Sequence, residues 1–537
     1  MSAFEDRHGR AVVGTLAMFD RLIFRGHLRP FYATGGLRAF MSTQDVLLTG
    51  FGAWVTGLSE RLCDHAKAMA ADAGRPYIYL ERTMTRDTGQ TKEDLARRIA
   101  ERDGVSEGLV CVLRALEPAT SFRLRRNHAT HQLEVVPGKR LCVQLYFYFL
   151  DPEFGFMHVK LQTWLPFTIQ VYVNGREWLA RQLDGAGVGY LRHDNALLRV
   201  EDLPVAWERC DRFAHRAWPR VLDALARRVN PHLATIAAAD FGGYYWVVEQ
   251  AEVATDVMFR DRRALVGVMG DLVRHASLCM SSEDVVRFLG RKLHPSLKAE
   301  VTTDTKHRPE GWRVKHRLAR NSIKVYDKVS VLRVETTINN PREFRVLRVF
   351  TDGRGRRERR WCEMNKGVAN FWRYYQVGLA ANNRYLEALA AAPLKGEGVA
   401  AIDALCRPRT TDGRHHARFD PLRPADLALF RAVLAGGHTI TGFRNSDIAA
   451  HLYPRPPLDT AEAHRRCARV SRLIAKLRGH HLVAKVPRQR LYRVTPHGQR
   501  VLTAALTLHD DRFPDAYLAA STLTPSREPR KSWAVIQ

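Results

Sequence analysis

Between Gly311 and Ile338 cations and apolar residues alternate with the two-residue period of a β-strand, and that pattern restricts the fold more than any other feature of the chain. In Gly311–Leu318, Arg313, Lys315 and Arg317 alternate with Trp312, Val314, His316 and Leu318. Successive side chains of a strand point to opposite faces, so all three cations share one face. Ser322–Lys328 places Lys324, Tyr326 and Lys328 together, and Val331–Ile338 sets Arg333, Glu335 and Thr337 opposite Leu332, Val334, Thr336 and Ile338. Asn339-Asn340-Pro341 ends the last strand. Paired as a meander, these strands gather a tyrosine, a glutamate and five or more cations on one surface.

The rest of the chain supplies both kinds of element. Strands are expected at 11–28, Tyr77–Leu80, Gly108–Leu116, Ser121–Arg125, Leu141–Phe149, Phe156–Trp164 and Phe167–Val173, with turns at Asp151-Pro152 and Asn174-Gly175. Helical patterns cover 54–73, Thr91–Arg102 and 367–391, and helix alternating with loop is expected from 176 to about 295. The fold class is α+β: a large mixed body over 1–392, in one piece or two lobes, carrying the basic β segment at 306–366. A linker rich in Pro, Gly, Arg and His follows at 393–423, then a small domain at 424–508 and a partly disordered tail at 509–537. No internal repeat is visible.

Charge narrows the partners. The 537 residues hold 84 Lys and Arg against 56 acids, a net charge of +28, which attracts polyanions, DNA or RNA before an anionic membrane. The excess is clustered: 306–366 holds 18 Lys/Arg and 7 acids, and 424–508 holds 14 and 4. The eight cysteines stand far apart with no Cys-x-x-Cys pair, which fits a reducing cytoplasm and excludes a zinc ribbon or disulfide framework. His128-x-x-His131 has no nearby Cys or acid pair to complete a metal site. There is no signal-peptide pattern at the start, no apolar run long enough to span a membrane, no phosphate-cradling GxxxxGK[ST] and no dinucleotide glycine pattern.

The small domain reads as three helices, a hairpin and a closing helix. Leu427, Phe430, Val433 and Leu434 make Asp426–Leu434 amphipathic, a second helix opens at Phe443–Ile448 and stops before Pro454, and a third starts at Asp459 with Glu462 three residues on. On the third, Ala463, Cys467, Val470, Ile474 and Leu477 form a core stripe, and Arg465, Arg469, Arg472 and Lys476 form a cationic one. Leu482–Val486 and Leu491–Val494 are strands joined by a tip carrying Arg488 and Arg490, and Thr495-Pro496 starts the last helix. This order, with its "LYRVTPHG" ending, resembles MarR-like winged helix-turn-helix domains. The resemblance implies a third helix in the DNA major groove and a wing on phosphates or the minor groove.

Two further resemblances bear on the body. "NSIKVYDKVSVLRVETTINNP" resembles the YxK…RxE strand pair of rolling-circle replication initiators, matching at Tyr326, Lys328, Arg333 and Glu335. That resemblance implies a divalent-metal-dependent nuclease of mobile-element or replication type, with Glu335 as metal ligand, Tyr326 as nucleophile and Mg or Mn as the ion. The His-hydrophobic-His motif of that family is absent; His158, Lys160 and Gln162 of "FGFMHVKLQTW" are the nearest substitute. Taken whole, the chain resembles large uncharacterised bacterial proteins with a MarR-like C-terminal domain, through "FDRLIFRG", "FGFMHVKLQTWLPF", "NGREWLARQLD", "FLGRK", "RPEG", "YDK" and "LRVETTIN"; that likeness implies no activity.

Three readings follow. The first is a nucleic-acid-binding protein whose winged helix reads duplex DNA while Arg313, Lys315, Arg317, Lys324, Lys328 and Arg333 of the body grip further DNA or RNA. The second is the metal-dependent nuclease, with Glu335 and Tyr326 in its site. The third is a regulator whose body binds a small molecule. Asp20, Glu117 and Asp151, each at the end of an apolar strand, form an alternative set of carboxylates like that of RNase H, and "ATDVMFR" pairs Asp256 with Arg260 on a helix. What discriminates binding from catalysis is whether Glu335 lies within metal-bridging distance of two other acids or histidines.

Overall fold

The computed structural model describes residues 3–81, 89–129, 131–291, 300–309, 311–351, 355–392, 398–411, 413–435, 438 and 442–514. Its centre is a sheet of eleven strands. Six come from the first part of the chain: β1 Val12–His27, β2 Tyr77–Leu80, β3 Gly108–Arg126, β4 Leu133–Asp151, β5 Gly155–Gln162 and β6 Ile169–Asn174. A separate hairpin follows, β7 Tyr190–His193 and β8 Ala196–Val200. The remaining five sheet strands are β9 Tyr245–Phe259, β10 Val301–Arg308, β11 Gly311–Leu318, β12 Asn321–Lys328 and β13 Val331–Ile338. The order across the sheet is β10-β11-β12-β13-β9-β1-β6-β5-β4-β3-β2, antiparallel throughout except for the β2–β3 pair.

The alternating segment pairs in the expected register. Arg313 faces Tyr326, Lys324 faces Glu335, and Tyr326 faces Arg333, while Val314, His316, Leu318, Val325, Leu332 and Val334 are buried. Apolar residues of the central strands, such as Leu22, Phe24, Val171, Val173, Val253 and Ala251, continue that buried face across the sheet. Helices cover it: Phe51–Asp72 over the first strands, Phe371–Leu389 over the middle, and Arg262–Leu278 with Ser282–Phe288 over β9–β13. Polar groups buried there are satisfied in pairs. Thr336 donates to Asn382 of the middle helix, whose amide donates in turn to the Val253 carbonyl at 2.9 Å.

One expectation from the sequence needs correction. The segment expected as alternating helix and loop contains β9, at the centre of the sheet. Its middle, Glu249-Gln250-Ala251-Glu252, is made of good helix formers, but pairing with β1 and β13 on either side outweighs that local preference. The chain is also internally repeated in topology. A long strand (β1 or β9) precedes helices and a four-strand meander (β3–β6 or β10–β13), whose last strand returns to pair with the first. The two halves meet antiparallel along β1 and β9, as a two-fold relation requires. In sequence they share little beyond Asn174-Gly175-Arg176-Glu177-Trp178 and Asn340-Pro341-Arg342-Glu343-Phe344, which leave the last strand of each half.

Beyond β13, a separate hairpin of β14 Arg345–Thr351 and β15 Arg357–Glu363 precedes the middle helix. The segment expected as linker holds a helix, Gly398–Leu405, and a small hairpin of β16 Arg409–Thr411 and β17 Arg414–His416. Leu405 and Phe419 from this segment join a cluster with Leu427, Phe430, Ile448, Val470, Ile474 and Leu502. The C-terminal elements are helices Pro424–Leu434, Asn445–Leu452 and Thr460–Gly479, strands β18 Val483–Lys485 and β19 Tyr492–Val494, and helix Pro496–Thr507. Asp459 caps the third helix by accepting from Glu462 N at 2.6 Å, and Thr495 caps the last by accepting from Gly498 N at 2.9 Å. Within the tail, Leu508–Arg512 continues as a π-helical turn, and residues 515–537 lie outside the described residues. Among the described residues no helix is long and apolar enough to cross a membrane.

Candidate metal centre

The side of the sheet away from the helices is polar at its middle. By register Lys315, Lys324 and Glu335 face one another across β11, β12 and β13, and Glu252 of β9 lies opposite Thr337, diagonal to Glu335 on the same face, with Arg21 beside it on β1 where the β1–β9 register shifts. Asp20 joins this face through an irregularity. The β1–β9 register shifts between Phe19 and Leu22, and such a bulge re-aims side chains. Phe19 turns into the core against Phe371, with ring centroids 4.4 Å apart, and the Asp20 carboxylate turns to the polar side.

One carboxylate oxygen from each of Asp20, Glu252 and Glu335 lies within 4.8 Å of the others. Oxygen ligands of a magnesium ion stand about 2.1 Å from it, hence about 3 Å apart in cis and about 4.2 Å in trans, and manganese or calcium sites are slightly wider. Small side-chain adjustments therefore suffice for the three to share one divalent ion. Asp20 and Glu335 are buried and Glu252 is half-buried, so the fold holds two ligands firmly and leaves the third side accessible.

An arginine holds Asp20 and a lysine holds Glu335, while Glu252 accepts from the Gln250 amide at 2.7 Å. Arg333 is fully buried: its Nε and Nη2 donate to both oxygens of Asp256 at 2.6 and 2.9 Å, and its Nη1 donates to Asp20 at 2.9 Å. Arg176 contributes a second cation 3.0 Å from Asp256 and donates to the Ala254 carbonyl. Its helix, Gly175–Gly185, begins so close to β1 that a Cβ at Gly175 would lie 2.2 Å from the Phe19 carbonyl oxygen. The β7–β8 turn closes the network: Asn195 Nδ2 donates to Asp20, and Lys328 donates to Asp194 and Asn195. Glu335 is gripped by Lys324 at 2.6 Å and by the Tyr326 hydroxyl at 2.7 Å.

The three carboxyls titrate differently as a result. Burial opposes charge on Glu335, but Lys324, Tyr326 and Arg333 outweigh it and hold the group below the usual carboxylate range. Burial raises Asp20 despite Arg333. Glu252, buried beside the Glu335 charge, is pushed up to about 8, so at neutral pH it keeps a proton that a cation would displace. Burial and the Glu335 charge also hold the Tyr326 phenol well above its ordinary range, so it is a hydrogen-bond donor and not a ready nucleophile.

Several expected site residues sit elsewhere. Arg333 and Lys328 are tied into the network and are not free to grip phosphates. Arg317 is exposed, Lys315 is half-buried, and Arg313 pairs with Asp304 at 2.8 Å. Glu117 accepts from Lys160, Lys92 and Tyr146, each at 2.7 Å, and Asp151 accepts from the Glu153 and Phe154 backbone, so neither joins Asp20. His158 stacks on Tyr172, and Gln162 donates to backbone carbonyls. Asp256 lies on a strand with Arg333 as partner, and Arg260 pairs with Asp261. On the third C-terminal helix Arg465, Arg469 and Arg472 are exposed, as are Arg488 and Arg490 on the hairpin tip. Lys476 instead lies 3.7 Å from the Phe419 ring centroid and 3.7 Å from Asp426, and Cys467 is exposed, not core.

Sequence reasoning missed Glu252, Arg176 and Asn195. For Glu252 the signal was the β-branched and aromatic residues on either side, Tyr245–Val248 and Val253–Phe259, which mark a strand through the Glu-Gln-Ala stretch. No protein-family model, curated protein or solved structure matches the chain.

Proposed function

We propose that this protein is a divalent-metal-dependent enzyme that cleaves phosphodiester bonds in DNA, brought to duplex DNA by a winged helix formed by residues 424–508. The observation that carries the reading is the approach of Asp20, Glu252 and Glu335 to within 4.8 Å of one another on a face rich in cations. Three carboxylates are the donor set that magnesium or manganese prefers, and a bound ion would supply Lewis acidity toward a phosphate and lower the pKa of a water. Arg21 is exposed beside the trio and Lys315 lines the same face, placed to attract a phosphate backbone, while Lys324 is held on Glu335. Since Tyr326 is held protonated on Glu335, water is the nucleophile this arrangement favours, in contrast to the tyrosine adduct of replication initiators.

The winged-helix part rests on the order of three helices, hairpin and helix, and on the exposed Arg465, Arg469, Arg472, Arg488 and Arg490. A cavity of about 680 Å³ beside Met280, Phe288, Ala432 and Leu506 is large enough for the small molecule of a regulator. Among its charged and titratable lining groups Arg431 and Asp510 satisfy each other at 2.6 Å, Glu283 lies 3.9 Å from His451, Asp284 accepts from the Ser281 backbone and His275 bonds the Ala388 carbonyl, which makes that reading the weaker one.

The test is incubation of the pure protein with labelled single-stranded and supercoiled DNA, with magnesium or manganese or with chelator. Cleavage should need the ion. Glu335→Gln and Glu252→Gln should lower it at least as much as the ~10–100-fold that outer-shell partners of metal ligands cost. Tyr326→Phe should leave substantial activity and no covalent adduct should form. Metal-independent cleavage, or full activity in Glu252→Gln, would sink the assignment.

A further inference from the structure

The hairpin of β14 and β15 stands apart from the eleven-stranded sheet, and among the described residues its strands pair with each other alone and contribute nothing to the metal centre. Its root is fixed. Phe344 and Val346 are buried, and Arg373 of the middle helix donates to the Arg345 carbonyl at 2.9 Å with its guanidinium 5.4 Å from the Trp361 ring centroid. Farther along, the strands leave the body and expose apolar side chains that a free-standing ribbon has no reason to carry: Val349 is 59% exposed, Trp361 56% and Phe350 42%.

The register sorts these groups. On one face Leu347 lies opposite Trp361, Val349 opposite Arg359 and Thr351 opposite Arg357, an apolar ridge with arginines toward the tip. On the other face Arg348 lies directly opposite Arg360. Like charges at opposed positions destabilise a two-stranded ribbon, which is already marginal in water, unless an anion neutralises them. Arg360 leans on Glu358 at 2.8 Å; Arg348, Arg357 and Arg359 have no ion pair among the described residues. A narrow, twisted, cationic ribbon with an apolar ridge has the shape and charge to enter a duplex groove, arginines on phosphates and the ridge on sugars and base edges.

We infer that this hairpin is a DNA-binding arm, separate from the C-terminal helices, that lies in a groove of duplex DNA. The inference rests on the reading of the protein as one that acts on DNA, and the arm would hold the duplex by the body itself. Its contacts are dominated by phosphates, so it adds affinity more than sequence preference.

The experiment is fluorescence anisotropy with a labelled 30-base-pair duplex and the full chain, titrated over a range of salt. Each lost phosphate contact makes the slope of log K against log salt shallower by about 0.9. Arg357→Ala/Arg359→Ala should flatten it by nearly two such steps, Arg357→Lys/Arg359→Lys should restore it, and Trp361→Ala should weaken binding with the slope unchanged. A Trp361→Ala protein that binds normally but sediments as a smaller species would mark the ridge as a self-association surface and overturn the proposal. So would an alanine double variant with wild-type slope and affinity. Absence of DNA binding by the wild type would overturn both this inference and the reading beneath it, whereas arm-dependent binding without cleavage would sink the catalytic reading alone.

Discussion

Arg333 shows how one side chain can be read correctly in position and wrongly in role. Strand alternation puts it on the polar face with Lys324 and Tyr326, as found, but its guanidinium points into the sheet network and meets Asp256 and Asp20. A buried arginine with two carboxylate partners organises charge inside the protein and is not available to a phosphate. Replacing it by methionine should leave both acids buried with Arg176 as their remaining strong cation, and should cost about 3–5 kcal/mol in chemical denaturation. A loss under about 1 kcal/mol would mean that the network relaxes around the change and is not the rigid frame that positions Asp20. Glu335 was legible as a candidate because of the glutamate's place among cations. Its partners Asp20 and Glu252 lie more than 300 and more than 80 residues away along the chain, and no local pattern connects them.

At the scale of elements, periodicity was a sound guide wherever one face was buried and the other wet. β11–β13, the helix Lys92–Arg102 and the C-terminal helices all follow it. It misled at β9, whose Glu-Gln-Ala centre favours a helix locally and whose strand state depends on neighbours contributed by remote segments. The third C-terminal helix presents the opposite case. Val470, Ile474 and Leu477 are buried as its spacing requires, leaving Arg465, Arg469 and Arg472 exposed along the other side. Arg469→Ala and Arg472→Ala should each weaken duplex binding by about 1–3 kcal/mol where they contact a base, with little change in folding. Lys476→Ala, by contrast, should lower stability through its contacts with Phe419 and Asp426 and change DNA affinity little. An electrophoretic shift titration beside thermal denaturation separates the two effects, and unchanged binding in Arg469→Ala/Arg472→Ala would remove the third helix from the interface.

For the whole molecule, the seam between the two repeated halves is where the three acids meet. Asp20 comes from β1, Glu252 from β9 and Glu335 from β13, so the acids gather only when both halves have formed and met. Glu252, raised to about 8, sets a pH dependence. Between the ordinary carboxylate range and about 8, the folded protein holds a proton that the unfolded chain releases. The stabilisation is therefore complete at low pH and is lost as pH rises through about 8. A divalent cation competes with that proton, so its affinity should climb from pH 6 to pH 8 and level off above, with proton release on binding. Manganese should accordingly raise Tm more at pH 8 than at pH 6, and Glu252→Gln should abolish the difference. Equal shifts at both pH values in the wild type would show that Glu252 is not a ligand.

Local pattern alone determined that the chain is α+β, that residues 311–338 form a meander with one cationic face, and that three helices, a hairpin and a closing helix follow one another over 424–507. These features depend on contacts between near neighbours in sequence, on the period of burial and on net charge, all of which a linear reading contains. Only the tertiary structure decided that β9 is a strand, that the body is two halves of one topology, and that a bulge at Phe19–Leu22 turns Asp20 toward Glu335. Each of these arises from pairing between segments far apart in the chain, and such pairing leaves no periodic trace in either segment by itself.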